Sequence, residues 1–167
     1  MKRPQSIAEW FVLVVGSGFG LGLSPIAPGS FGALLGPGLH AISLHFWPNS
    51  VRAILITALI LFSIAHFTMN ATASVYWSSS DPKNFILDEV AGYLTVAVLS
   101  MGQAPLLVIT EGFLLFRIID IIKIPPARHV DQKMHNALGV ILDDIIAGAY
   151  AALLLFVQGI ILGHYRA

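Results

Sequence analysis

The chain contains no cysteine, little charge and no surplus of either sign. Without thiols there is no disulfide, no thiolate nucleophile and no thiolate metal site, which leaves oxygen ligands or the six histidines for any metal. Only 11% of the 167 residues are charged, whereas a soluble domain carries roughly 25%. Nine basic and nine acidic side chains cancel, so the broad basic surface that nucleic acid requires is missing, and nucleic acid is excluded as a partner. Apolar residues fill the chain instead: 56% are hydrophobic and the mean hydropathy is +0.81. That composition belongs to a membrane protein with the bilayer as its surroundings, and it reads as a single domain over residues 1–167.

Apolar sequence falls into blocks at residues 10–23, 31–47, 51–69, 85–122, with a break at Gly102 to Pro105, and 138–162. A helix crossing about 30 Å of hydrocarbon needs roughly 20 residues, a length that the third and last blocks reach. The first block is short and glycine-rich, suited to an interfacial or re-entrant helix, while residues 90–99 and 105–122 read as a tight hairpin. The expected fold is all-α, a compact polytopic membrane helical bundle with short and re-entrant helices. Met1-Lys2-Arg3 ahead of an apolar run resembles a signal segment, but no small-residue cleavage site follows cleanly, so the segment is read as mature fold with a signal anchor as the competing reading. Placing Lys and Arg on the cytoplasmic side puts Lys2, Arg3, Lys83, Lys123, Arg128 and Lys133 together, and leaves Arg52 and Arg166 opposite. Trp10, Trp47 and Trp77 fit interfacial belts.

Seven of the nine acidic residues lie between Asp88 and Asp144, mostly in apolar helical sequence. Burying a carboxylate without a partner is costly, and an acid inside a membrane segment is a functional-site hypothesis. Asp88, Glu89, Asp120, Asp143 and Asp144 outnumber Arg117 and Lys123, the balance expected where a divalent cation sits beside a phosphate. Asp88 is followed at i+3 and i+4 by Ala91 and Gly92, and Asp144 by Ala147 and Gly148. Small residues one turn along let two helices pack closely, so carboxylates from both could share one cation. Mg²⁺ suits an all-oxygen site joined by a substrate phosphate. The competing readings are a helix-dipole role for Asp88 and Glu89 and a structural ion pair of Asp143 or Asp144 with Arg117 or Lys123. Glu111 reads as a lone polar contact, His129 and His135 as solvated loop residues, His40, His45 and His66 as helix-end or interface positions, and His164 as terminal.

Residues 18–32 are glycine-rich, with Pro25 and Pro28 stiffening the turn and Ser30 placed to cap a helix starting near Phe31. A helix N-terminus behind such a loop favours an anion. A tight inter-helix connection built from small residues is the alternative.

Gly-Leu-Ser-Pro-Ile-Ala-Pro-Gly-Ser at 22–30, Asp-Glu-Val-Ala-Gly at 88–92, Phe-Arg-Ile-Ile-Asp-Ile-Ile-Lys at 116–123 and Asp-Asp-Ile-Ile-Ala-Gly at 143–148 resemble the phosphatidylglycerophosphatase A family, in order, over about residues 16–150. The resemblance implies an all-α, Mg²⁺-dependent phosphatase of the bacterial inner membrane, its site facing the cytoplasm. Such an enzyme converts the phospholipid phosphatidylglycerophosphate to phosphatidylglycerol. It further implies that Asp88, Glu89, Asp120, Asp143 and Asp144 form the catalytic and metal site, with Arg117 and Lys123 as phosphate partners. Substrate contacts are expected from Ser24, Pro28, Gly29 and Ser30 in the loop and from the basic Lys83 and Arg128. Two departures stand out: Ile124 follows the lysine where proline is usual, and Asn136-Ala137 stands where a Gly-Gly pair is common. Asp143 or Glu89 is the expected base for a water, with an aspartyl-phosphate route left open. A small membrane cation transporter is the rival reading. A CDP-alcohol phosphotransferase would need an Asp-Gly-x-x-Ala-Arg run that this chain lacks.

Overall fold

The computed structural model describes residues 3–134 and 136–162, so the expectations for Lys2, His135, His164 and Arg166 fall outside the described residues. Those residues form helices and turns with no strand.

Two helices frame the bundle. Helix α4, Val51–Trp77, contains neither glycine nor proline and ends where Ser78 turns left-handed at φ 56°. Helix α9, Ala137–Ile161, starts at Asn136, whose side chain accepts the Gly139 N–H at 2.9 Å and so satisfies a first-turn donor. Both are long and apolar enough to cross a membrane. Their outer faces stay apolar: Ile60, Leu61 and Ile64 on α4 and Leu153 and Ile160 on α9 are more than half exposed. Rows of that kind favour lipid over water.

Helix α5, Leu87–Leu99, lies between them and is buried along nearly its whole length. A helix apolar all round is a core helix. It meets α9 at the glycines foreseen from the spacing: a Cβ on Gly148 would collide with the Gly92 carbonyl oxygen, and one on Gly92 would stand 3.0 Å from the Asp144 carbonyl oxygen and 2.5 Å from the Phe116 ring. The two backbones therefore touch one turn from Asp88 and Asp144. Residues 105–122 return along α5 as α6, Pro105–Leu107, a wide π turn at Val108–Gly112 and α7, Phe113–Ile122. Lys123 ends α7 at φ 53°, a cis peptide joins Pro125 to Pro126, and α8 follows at Ala127–Lys133.

The N-terminal block is broken rather than continuous. Helix α1, Ile7–Phe11, runs into a π turn at Val12–Gly16, then a 3-10 turn at Leu21–Leu23, α2 at Pro28–Ala33 and α3 at Leu35–Phe46. Ser30 does not cap this stretch. Proline's fixed φ suits the first helical position, so α2 starts at Pro28 with Ala27 before it, and Ser30 lies inside the helix. Most of the loop's glycines serve packing, since a Cβ on Gly18, Gly22 or Gly32 would strike Ile86 at 2.5–2.7 Å. Asn84 Nδ2 donates to the Gly22 carbonyl at 2.7 Å and the Ile86 N–H to Gly16 at 2.9 Å, tying this block to the start of α5.

His40 and His66 are buried, not at helix ends or interfaces. His40 Nδ1 lies 3.0 Å from the Tyr93 hydroxyl, and His66 Nε2 lies 2.9 Å from the Ala137 carbonyl oxygen. Each ring finds a polar partner on a neighbouring segment, which is what lets it be buried. Glu111 makes the polar contact expected of it, accepting from Gln158 Nε2 at 2.7 Å. Trp10 and Trp47 are more than half exposed, while Trp77 packs on Tyr76 and Phe85.

The crossing of α5 and α9 gives a test. Gly148→Ala should lower stability by about 1–3 kcal/mol, the usual range for overpacking, because its new methyl meets backbone rather than a movable side chain. Gly38→Ala, where nothing lies within 4 Å, should be neutral or stabilising by up to about 1 kcal/mol. Thermal unfolding in detergent measures both.

Candidate active site

A cavity of about 460 Å³ opens where the first turn of α5, the last turns of α7 and the early turns of α9 converge, closed on one side by α2 and by the loop carrying Asp81 and Lys83. Asp88 and Glu89 enter from α5, Arg117 and Asp120 from α7, Lys123 from its left-handed end, and Asp143 and Asp144 from α9. All seven residues expected to carry the chemistry thus line one space. Asp88, Asp143 and Asp144 are only 4–6% exposed.

Arg117 and Asp120 lie one turn apart, with Nη1 2.8 Å from Oδ2 in an ion-pair contact that lacks hydrogen-bond alignment; Arg117 Nε has no partner. Lys123 Nζ donates to Asp143 Oδ2 at 2.7 Å. The structural ion pair weighed for this helix therefore exists at Asp143. Among the described residues no such pair accounts for Asp144, which faces Asp120, Asp88 and Asp143 instead. Asp88 and Glu89 adjoin one another, as do Asp120 and Asp144. Asp88 Oδ1 and Glu89 Oε2 are buried without a hydrogen-bond partner. Carboxyls at such range repel when ionised, and strongly so away from water. Further positive charge would relieve them.

The lining holds six carboxyl residues, Asp81 included, against Lys83, Arg117 and Lys123. Asp81 was not singled out from the sequence; its signal was its place in the Asp81-Pro82-Lys83 turn just ahead of the acidic pair. Among the described residues no three His, Asp or Glu side chains stand close enough to hold one ion as they are placed.

Of the expected substrate contacts, Pro28, Gly29, Ser30 and Lys83 line the cavity. Ser24 and Arg128 are not among its walls. The Ser24 hydroxyl donates to the Ile26 carbonyl at 2.8 Å, closing its own loop, and Arg128 is exposed on α8. Gly29 matters at close quarters, because a Cβ there would lie 2.5 Å from Glu89 Oε1 and 3.2 Å from Arg117 Nη2. Two non-glycine residues at positive φ, Ala27 at 47° and Lys123 at 53°, also border the cavity. Such backbone is strained and persists only where its surroundings enforce it. Tyr150 contributes by donating to the Pro125 carbonyl at 3.0 Å, which fastens the turn after Lys123 to α9.

The described residues form an all-α bundle with apolar outer faces, two helices long and apolar enough to cross a membrane, and a polar, charge-bearing cavity at its helix ends. The family model for phosphatidylglycerophosphatase A matches residues 14–158. The chain belongs to the phosphatidylglycerophosphatase A family. It is 34% identical to phosphatidylglycerophosphatase A of Haemophilus influenzae over 93% of this chain and 92% of that one. With the Escherichia coli phosphatidylglycerophosphatase A the identity is 29%, covering 95% of this chain and 88% of the relative. A Bacteroides thetaiotaomicron protein that carries the provisional name phosphatidylinositol-3-phosphatase is 31% identical over 98% of this chain and its own full length. No solved structure matches significantly. Family membership leaves the cation-transporter reading without support.

Gly29→Ala separates site geometry from folding. The new methyl meets only the movable ends of Glu89 and Arg117, so stability should stay within about 1 kcal/mol. Turnover should fall on the order of tenfold to a hundredfold, since displacing a reacting group by about 1 Å has that effect. Comparing Tm with kcat/KM of the variant checks this.

Proposed function

We propose that this protein is a lipid phosphatase of the bacterial inner membrane that hydrolyses the terminal phosphomonoester of phosphatidylglycerophosphate to phosphatidylglycerol, with its cavity toward the cytoplasm. The observation that carries the reading is the meeting of acids from α5, α7 and α9 with Arg117 and Lys123 in one cavity. The provisional inositol-lipid name of one relative shares the same chemistry, a phosphomonoester on a glycerophospholipid headgroup.

The residues fit magnesium in kind. The candidate ligands are all carboxylate oxygens, the donors a hard divalent cation prefers, and Asp88 Oδ1 and Glu89 Oε2 are buried without partners. Carboxylates drawn from Asp88, Glu89, Asp120 and Asp144 would hold it, with Asp143 joining them when it is not taking a proton, and when bound it would supply Lewis acidity and offset the negative charge of substrate and acids.

The chain's own groups do the rest. Lys83, exposed at the rim, attracts the anionic headgroup, an effect of about 1 kcal/mol near a membrane surface. Arg117 and Lys123 take the non-bridging phosphate oxygens and stabilise charge that grows in the transition state. Lys123 already holds Asp143 Oδ2 at 2.7 Å, so a phosphate that engages the ammonium loosens that contact and frees Asp143 to accept a proton. Water oxygen then bonds to phosphorus, Asp143 takes the water's proton, and the P–O bond to the glycerol headgroup breaks. The departing oxygen takes the proton that Asp143 received, so the lipid alcohol leaves and the carboxylate is restored. Glu89 is the second candidate base. The acyl chains stay in lipid against the apolar outer faces, and chain length should matter little.

Purified protein in mixed micelles should release phosphate from phosphatidylglycerophosphate in the presence of Mg²⁺ and lose that activity with EDTA. Asp88→Asn and Asp143→Asn should each lower kcat by about a hundredfold or more; near-normal turnover in both would remove these acids from the mechanism. A parallel assay with phosphatidylinositol 3-phosphate sets the headgroup preference, and faster turnover of that lipid would replace the proposed substrate. Short- and long-chain substrates should differ in kcat/KM by less than about threefold, because specificity from apolar contacts needs a pocket that encloses them.

A further inference from the structure

A second cavity, of about 240 Å³, lies at the other end of the bundle. The rise from Asp88 to Ser100 along α5 is roughly 18 Å at about 1.5 Å per residue, so this space is separate from the acidic site. It is walled by the turns that close this end, residues 48–52 at the start of α4 and residues 100–105 between α5 and α6, together with His40, Leu44, Ala97 and Val108 from the surrounding helices.

Its chemistry is the reverse of the first site. No carboxylate lines it among the described residues, and Arg52 is the only full charge in its wall. The start of α4, a 27-residue helix, also contributes. The 3-10 turn Pro48–Ser50 runs straight into it, and Ser50 makes no side-chain cap bond, so the positive end of the helix dipole falls at this cavity. Independently, Ser100 Oγ is buried at 2% exposure, lines the cavity and has no hydrogen-bond partner. A serine at a helix end commonly turns its hydroxyl back to the preceding turn. Here Val96 O receives the Ser100 N–H at 2.9 Å while the hydroxyl is left over. A buried hydroxyl without a partner is destabilising until something bonds it.

We propose that this cavity is a second phosphate-binding site, in which Arg52, Ser100 and the start of α4 hold the phosphodiester of a membrane phospholipid. A cation, the positive end of a helix and a hydroxyl donor together suit phosphate oxygens. A phosphodiester carries a single negative charge, which matches the lone Arg52. The lining residues are flanked in the chain by Trp47, Leu99 and Leu106, exposed at 56%, 58% and 72%, apolar surface on which acyl chains can lie. Inorganic phosphate offers the same oxygens without those chains, so lipid and free phosphate are separable by experiment.

The full chain is released from nanodiscs of phosphatidylglycerol and phosphatidylcholine and weighed by native mass spectrometry, beside Arg52→Gln, Ser100→Ala and Arg117→Gln. Wild type and Arg117→Gln should both retain a phospholipid, the latter because it removes a phosphate partner of the acidic cavity and leaves the second cavity intact. Arg52→Gln should reduce occupancy by about tenfold and Ser100→Ala severalfold, as expected for loss of charged and neutral hydrogen bonds. Thermal unfolding separates lost binding from lost fold; Ser100→Ala removes a hydroxyl with no partner and should keep its Tm, so it decides the matter if Arg52→Gln fails to fold. In a second arm, inorganic phosphate is titrated onto lipid-free wild type and followed by ³¹P line broadening. Arg52-dependent broadening without lipid retention would overturn the phospholipid assignment in favour of free phosphate. Retention unaffected by both Arg52→Gln and Ser100→Ala, or no binding in either arm, would overturn the site.

Discussion

The backbone contact between Gly92 and Gly148 is the constraint on which the site depends. Only hydrogen on both residues lets α5 and α9 approach so closely, and each glycine follows an acid by one turn of helix. The crossing therefore sets the spacing of Asp88 and Asp144 before any ligand arrives. Phe116, packed against the same glycine, carries α7 into register and with it Arg117 and Asp120. A chemical site of this kind needs groups fixed to a fraction of an ångström, and a small-residue helix crossing in a membrane supplies that rigidity.

Charge then explains why the cavity is shaped as it is. Three nearly buried aspartates cannot sit together comfortably in a medium of low dielectric. Lys123 answers Asp143 and Arg117 answers Asp120, each from α7 or its end, while Asp88 and Glu89 keep buried oxygens without partners. The strained left-handed turn at Lys123 lies beside one of these pairings. An incompletely neutralised acidic cavity beside two basic side chains is suited to a ligand that is both anionic and accompanied by a cation.

The outer surface completes the account. Apolar side chains that would be anomalous in water cover the long helices, while polar turns close both ends of the bundle. On the proposed function, a phospholipid would reach such helix ends by diffusing in the plane of the membrane, and a headgroup site there needs no enclosed tunnel. The far-end cavity beside Arg52 lies among the turns that close the opposite end.

The all-α class, the long helices and the acidic cluster were legible in the chain because they follow from local rules: apolar run length, carboxylates within it, and small residues one turn beyond each acid. Ser30 does not cap because Pro28 starts its helix two residues earlier, and the burial of His40 and His66 is not legible locally because their partners, Tyr93 and Ala137, are far away in sequence. The glycine-rich segment was ambiguous for the same reason, since Ile86 decides the packing of Gly18, Gly22 and Gly32. Sequence alone determined which groups were available and on which helix faces they stood. Only the tertiary structure decided that Asp81 joins the cavity, that Ser24 and Arg128 do not, and that Lys123 meets Asp143. Those outcomes depend on how separate helices cross, and crossing geometry is set by contacts between residues that no local pattern connects.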